Sequence, residues 1–99
     1  MSVQSFESDV GAGVVLVDFW AEWCPQCMSF MPQLDILSSE ISNQAKVVKV
    51  NVSNESDLAS KFKVTSLPTF MIFKDGAVVD VIRGVPNKIE LKKRILSFK

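Results

Sequence analysis

Seven consecutive residues, Val14 to Trp20 (VVLVDFW), are apolar and mostly β-branched or aromatic, with a single acid among them. A strand with one wet face alternates polar and apolar residues, so a run of this kind suits a strand covered on both faces. The chain must then supply a layer for each side of a sheet. Where strands and helices alternate, those layers are helices, and the parallel crossovers that place them are right-handed.

The rest of the pattern fits that demand. Phe30, Leu34, Leu37 and Ile41 recur at i, i+4, i+7 and i+11 and predict an amphipathic helix running to about Ser42. Pro32 lies inside it. It offers no N–H to the Met28 carbonyl and crowds the preceding turn, which predicts a kink rather than an end. Lys46 to Val52 (KVVKVNV) reads as a second strand, and Asn54 with Asp57 three residues on predicts a short helix through about Phe62. Thr69 to Lys74 and Ala77 to Arg83 flank Asp75-Gly76, a strong hairpin signal that makes them antiparallel neighbours. Asn87 and Glu90 resemble a capping box before a closing helix with Leu91, Ile95 and Phe98 inward. At the N-terminus, Ser2 to Gln4 predicts a short edge strand and Phe6 to Val10 a helical turn or two. The expected fold is α/β: a mixed sheet of four or five strands flanked by helices on both faces. A chain of 99 residues supports one core, hence one domain over residues 1–99.

Charge and residue usage narrow the function. Eleven basic and eleven acidic residues leave no net charge, which argues against a nucleic-acid partner. The two signs are segregated: residues 1–45 contain acids and no Lys or Arg, and every basic residue follows. With no histidine there is no imidazole base, no Cys-His or Ser-His pair and no imidazole metal ligand. No apolar run is long enough to span a membrane, and MSVQSFESDV lacks the features of a secretory signal, so the expectation is a cytoplasmic protein without a membrane partner.

The only cysteines, Cys24 and Cys27, stand in Trp23-Cys24-Pro25-Gln26-Cys27, directly after the buried strand and at a helix start. Backbone N–H groups there carry partial positive charge and stabilise a thiolate, the nucleophilic form. Cys24 takes the N-cap position and Pro25 the first helical position, where a missing N–H costs nothing; Cys27 points back toward Cys24 from the first turn. A metal site is the first alternative, but zinc needs four ligands, and a third cysteine and a histidine are both missing; carboxylates or a second chain would have to complete it. A purely structural disulfide is the other, although so short a loop removes little entropy from the unfolded chain. Asp18 is the second residue of interest. If buried in its apolar strand, its pKa is raised and it can pass a proton near neutral pH; at a strand edge it would be an ordinary solvated acid.

Over nearly its whole length the sequence resembles the thioredoxin family. The resemblance is carried by VLVDFWAEWC from Leu16, Pro32, VVKVNV, the segment Thr65 to Phe70 (TSLPTF), FKDG at Phe73 to Gly76, and Gly84. It implies the thioredoxin fold, a cis peptide before Pro68, and a dithiol-disulfide oxidoreductase in which Cys24 attacks and Cys27 resolves. It also implies that Asp18 lies beneath the cysteines and helps to deprotonate Cys27, with Lys49 as its neighbour. Trp23, Pro25, Gln26, Leu67, Pro68, Gly84 and Val85 would form a shallow substrate groove, where backbone groups beside Pro68 pair with an extended peptide. No bound cofactor is implied; electrons would come from NADPH through a thioredoxin reductase, and clients would be disulfide-containing proteins met by a monomer.

The motif departs from the family in two places. Pro25-Gln26 stands where thioredoxins carry Gly-Pro, and Met28 replaces a common basic residue. Cys-Pro looks like glutaredoxin, but the Gly-Gly segment of glutaredoxins is missing. A specialised oxidant, isomerase or glutathione-linked protein is thus one alternative; a non-catalytic thioredoxin-like subunit or a metal-cluster dimer is another.

Overall fold

Residues 1–99 are all described by a computed structural model. The elements are α1 (Val3–Val10), β1 (Val14–Trp20), α2 (Pro25–Glu40), β2 (Lys46–Asn51), α3 (Ser56–Lys61), β3 (Thr69–Lys74), β4 (Ala77–Arg83) and α4 (Lys88–Leu96). One four-stranded sheet has the order β2-β1-β3-β4, with β1 parallel to β2 and antiparallel to β3, and β3 antiparallel to β4.

The doubly covered strand is at the centre. Its alternating side chains feed two cores: Val15, Val17 and Phe19 join Phe6, Val10 and Leu58 on the α1/α3 side. Val14 and Leu16 join Phe30, Leu34, Leu37, Ile41, Leu91 and Ile95 on the α2/α4 side. Period-two alternation sends Asp18 to this second side. In register it lies opposite Lys49 of β2 and Phe70 of β3. The Asp75-Gly76 hairpin forms as expected, with both residues at positive φ, 50° and 90°, a conformation that glycine adopts without cost. The Asp75 carboxylate then accepts the Gly13 N–H at 2.8 Å and ties the hairpin to the loop before β1.

Three expectations need correction. Ser2–Gln4 is not an edge strand, so of the four or five strands expected the sheet has four. Ser2 instead caps α1: its hydroxyl accepts the Ser5 N–H at 3.0 Å while Ser5 Oγ accepts the Ser2 N–H at 2.8 Å. Phe6 and Val10, one turn apart, then bury the inner face of that helix. Asn54 does not start α3, whose N-cap is Glu55 with no side-chain cap bond; Asn51 organises the preceding turn by accepting the Ser53 N–H at 2.9 Å. Phe98 packs only partly against the α2/α4 core, behind the fully covered Leu91 and Ile95. Helix α2 continues through Pro32 to Glu40, and the Asn87 carboxamide caps α4 by accepting from Ile89 and Glu90.

Folding rejoins the segregated charges. Lys46 pairs with Asp9, Lys61 with Glu7, Lys49 with Asp35, and Lys88 and Lys92 with Glu40. All are near the surface, where solvent screening leaves such pairs little weight in stability.

Candidate active site

The end of β1 runs through a tight turn, closed by the Cys24 N–H donating to the Ala21 carbonyl at 3.1 Å, into the first turn of α2. Cys24 is the N-cap, in extended conformation, and Pro25 is the first helical residue. The Cys27 N–H donates to Cys24 Sγ at 3.2 Å, so an otherwise unpaired helix-terminal donor points at the first sulfur. The two cysteines are joined in a disulfide, with Cα atoms 5.3 Å apart. Both are buried within the chain. The Gln26 carboxamide comes within 3.6 Å of Cys24 Sγ.

Asp18, two residues before the end of β1, is only 2% exposed, and its Oδ1 is buried without a hydrogen-bond partner. Burial raises its pKa from 3.8 to about 7, a rise that the nearby positive charge of Lys49 opposes. Lys49 is its cross-strand neighbour, but the Lys49 ammonium makes its ion pair elsewhere, 2.7 Å from Asp35 of α2. That partner was not anticipated, because nothing local in sequence links the middle of α2 to an edge strand.

Five of the remaining residues divide between two surface hollows, which Pro68 and Gly84 do not line. One, about 300 Å³, is lined by Pro25, Gln26, Ser29, Phe30, Gln33 and Val85. The other, about 250 Å³, includes Trp23, Val52, Ser56, Thr65, Ser66 and Leu67. The Leu67-Pro68 peptide is cis. Pro68 itself is buried, and its carbonyl accepts the Gly84 N–H at 2.9 Å; Gly84 has φ 90°, which would strain any other residue. Trp23 is 69% exposed, and its indole N–H donates to Ser53 Oγ at 3.1 Å, a tether that sequence reasoning missed. A larger hollow of about 480 Å³ lies between α1, α3 and the β3–β4 hairpin and contains none of these residues. No three Cys, Asp or Glu side chains come together as a metal site requires. No helix is long and apolar enough to cross a membrane.

A mixed sheet covered by helices on both faces, with a two-cysteine disulfide at the start of the helix that leaves its central strand, defines a dithiol-disulfide oxidoreductase. The thioredoxin family model matches residues 1–97. Thioredoxin of Bacillus subtilis is 39% identical over 92 residues, covering 93% of this chain and 88% of the relative. Thioredoxin 1 of Synechococcus elongatus is 47% identical over 77 residues, covering 78% and 72%. Among solved structures, a mutant thioredoxin from Halobacterium salinarum superposes with a TM-score of 0.90 at 30% identity, covering 99% of this chain and 86% of that one. The chain belongs to the thioredoxin family.

Proposed function

We propose that the protein reduces client protein disulfides through Cys24 and Cys27. The observation that carries this reading is the Cys24 sulfur at the N-cap of α2, receiving the Cys27 N–H and bonded to Cys27. In the reduced protein, the Cys24 thiolate attacks a client disulfide, forms a mixed disulfide and expels one client thiolate. Cys27 passes its proton to the Asp18 carboxylate and attacks Cys24 Sγ. The Cys24–Cys27 disulfide closes, the second client sulfur leaves, and two electrons have passed from the dithiol to the client.

Asp18 is suited to the proton step by its burial. A carboxyl with a pKa of about 7 is divided between its two forms near neutrality, so it can both accept and release a proton there. Trp23, Pro25, Gln26, Leu67, Gly84 and Val85, with the backbone around the buried Pro68, provide the surface on which an extended client segment lies, and its sparing use of charge favours clients held by backbone pairing and apolar contact. NADPH, through a thioredoxin reductase, regenerates the dithiol; the protein acts as a monomer in the cytoplasm.

The test is a reductase-coupled assay with a disulfide-bonded protein substrate. Substrate-dependent NADPH oxidation that Cys24→Ser abolishes is the expected result. Failure of the chemically reduced wild type to transfer electrons to any disulfide substrate overturns the reading.

A further inference from the structure

Asp18 and Lys49 face each other across β1 and β2 on the side covered by α2. Val48 and Val50 belong to the opposite core, so alternation turns Lys49 toward α2. The Lys49 ammonium nevertheless sits 2.7 Å from Asp35 Oδ1, while Asp18 Oδ1 has no partner. The Asp35 side chain is 64% exposed and that of Lys49 38%, so the pair itself contributes little to stability. What it does fix is the position of a flexible cation beside the only buried acid.

We propose that Asp35 is a positioning residue for Asp18: its carboxylate anchors the Lys49 ammonium on α2 and so withholds that cation from the buried carboxyl. The inference deepens the proposed relay, in which Asp18 takes the Cys27 proton. A nearby positive charge favours the ionised form of an acid. Without the Asp35 charge, the four-carbon stem of Lys49 lets its ammonium turn toward Asp18, which then gives up its proton at lower pH and becomes a weaker base.

Few other groups compete. Cys27 is the titratable residue of the first turn of α2, and β3 presents Phe70 opposite Asp18. Glu40, the remaining acid of α2, is held by Lys88 and Lys92 of α4. Of the other charged residues of α4, Arg94 is held by Asp80, while Glu90 and Lys93 are exposed. Glu22, beyond the end of β1, accepts from Asn51.

Titration of the Asp18 carboxyl by 13C NMR in the reduced protein tests this directly, with Asp18→Asn identifying the signal. Four proteins are compared: wild type, Asp35→Asn, Lys49→Gln and the double variant. Asp35→Asn is expected to lower the midpoint by about half a pH unit or more, about a threefold change in proton affinity. Lys49→Gln is expected to raise it, and the double variant to match Lys49→Gln, because Asp35 acts only through the lysine. The acid limb of turnover should move with the midpoint. An unmoved midpoint in Asp35→Asn overturns the proposal, as does an equal shift with and without Lys49. A midpoint that moves while the pH profile of turnover does not leaves Asp35 in this role and overturns the relay assigned to Asp18.

Discussion

Asp18→Asn removes the only buried acid and keeps nearly the same shape. In the wild type, below the unfolded pKa of 3.8, the carboxyl is neutral in folded and unfolded chains alike, and pH has no purchase on stability through it. Between 3.8 and about 7 the unfolded chain has lost this proton while the folded protein holds it, so stability falls by about 1.4 kcal/mol for each pH unit. Above about 7 the loss is complete and amounts to about 4 kcal/mol. Asparagine carries no such slope. The variant should therefore run parallel to the wild type at the acid end and gain on it progressively, becoming the more stable protein at neutral pH while turning over more slowly. Urea melts of the oxidised proteins across about pH 4 to pH 8, at constant m value, measure the gap. A gap independent of pH, or an Asn variant less stable than wild type at neutral pH, refutes the argument.

Cys24→Ser should abolish disulfide reduction, whereas Cys27→Ser should accumulate mixed disulfides with clients; alkylation at limiting reagent checks the order, and preferential labelling of Cys27 would reverse it. Replacing Pro25-Gln26 with Gly-Pro should make the reduction potential more negative. The wild type is expected above the roughly −270 mV of thioredoxin and toward the roughly −200 to −230 mV of glutaredoxins. Glutathione titration followed by Trp20 and Trp23 fluorescence decides, and an unchanged or higher value in the swap counts against it. Phe6→Ala empties a fully buried site packed against Phe62 and Phe73, and should cost about 3–5 kcal/mol in a denaturant melt.

What the sequence made legible was the part written in local patterns. The apolar run of β1 required two helical layers, Asp75-Gly76 marked the hairpin, and Cys24-Pro25 marked the start of α2. The burial of Asp18 followed from its apolar neighbours. The first turn of α1 escaped because its cap is Ser2 with Ser5 rather than a serine with a glutamate, although Val3, Phe6 and Val10 already had helical spacing. Asn54 misled because a good capping residue is equally good in a turn, and here Asn51 and Ser53 had formed that turn first. The Lys49–Asp35 and Trp23–Ser53 contacts join elements far apart in the chain, and periodicity carries no information about such pairs.

During synthesis, β1 and the two cysteines behind it emerge well before β3, its antiparallel partner, and before Leu91 and Ile95, which close the core above it. Through that interval the thiols sit on an unfinished chain, without a settled helix terminus to hold a thiolate. The acidic first stretch also repels itself until the lysines arrive to neutralise it. A nascent chain with several cysteines would risk wrong pairings at this stage. Here Cys24 has one possible intramolecular partner, so a bond formed too early is already the native one. It closes a loop so short that it scarcely restricts the rest of the chain. Premature oxidation therefore leaves the path to the folded state open.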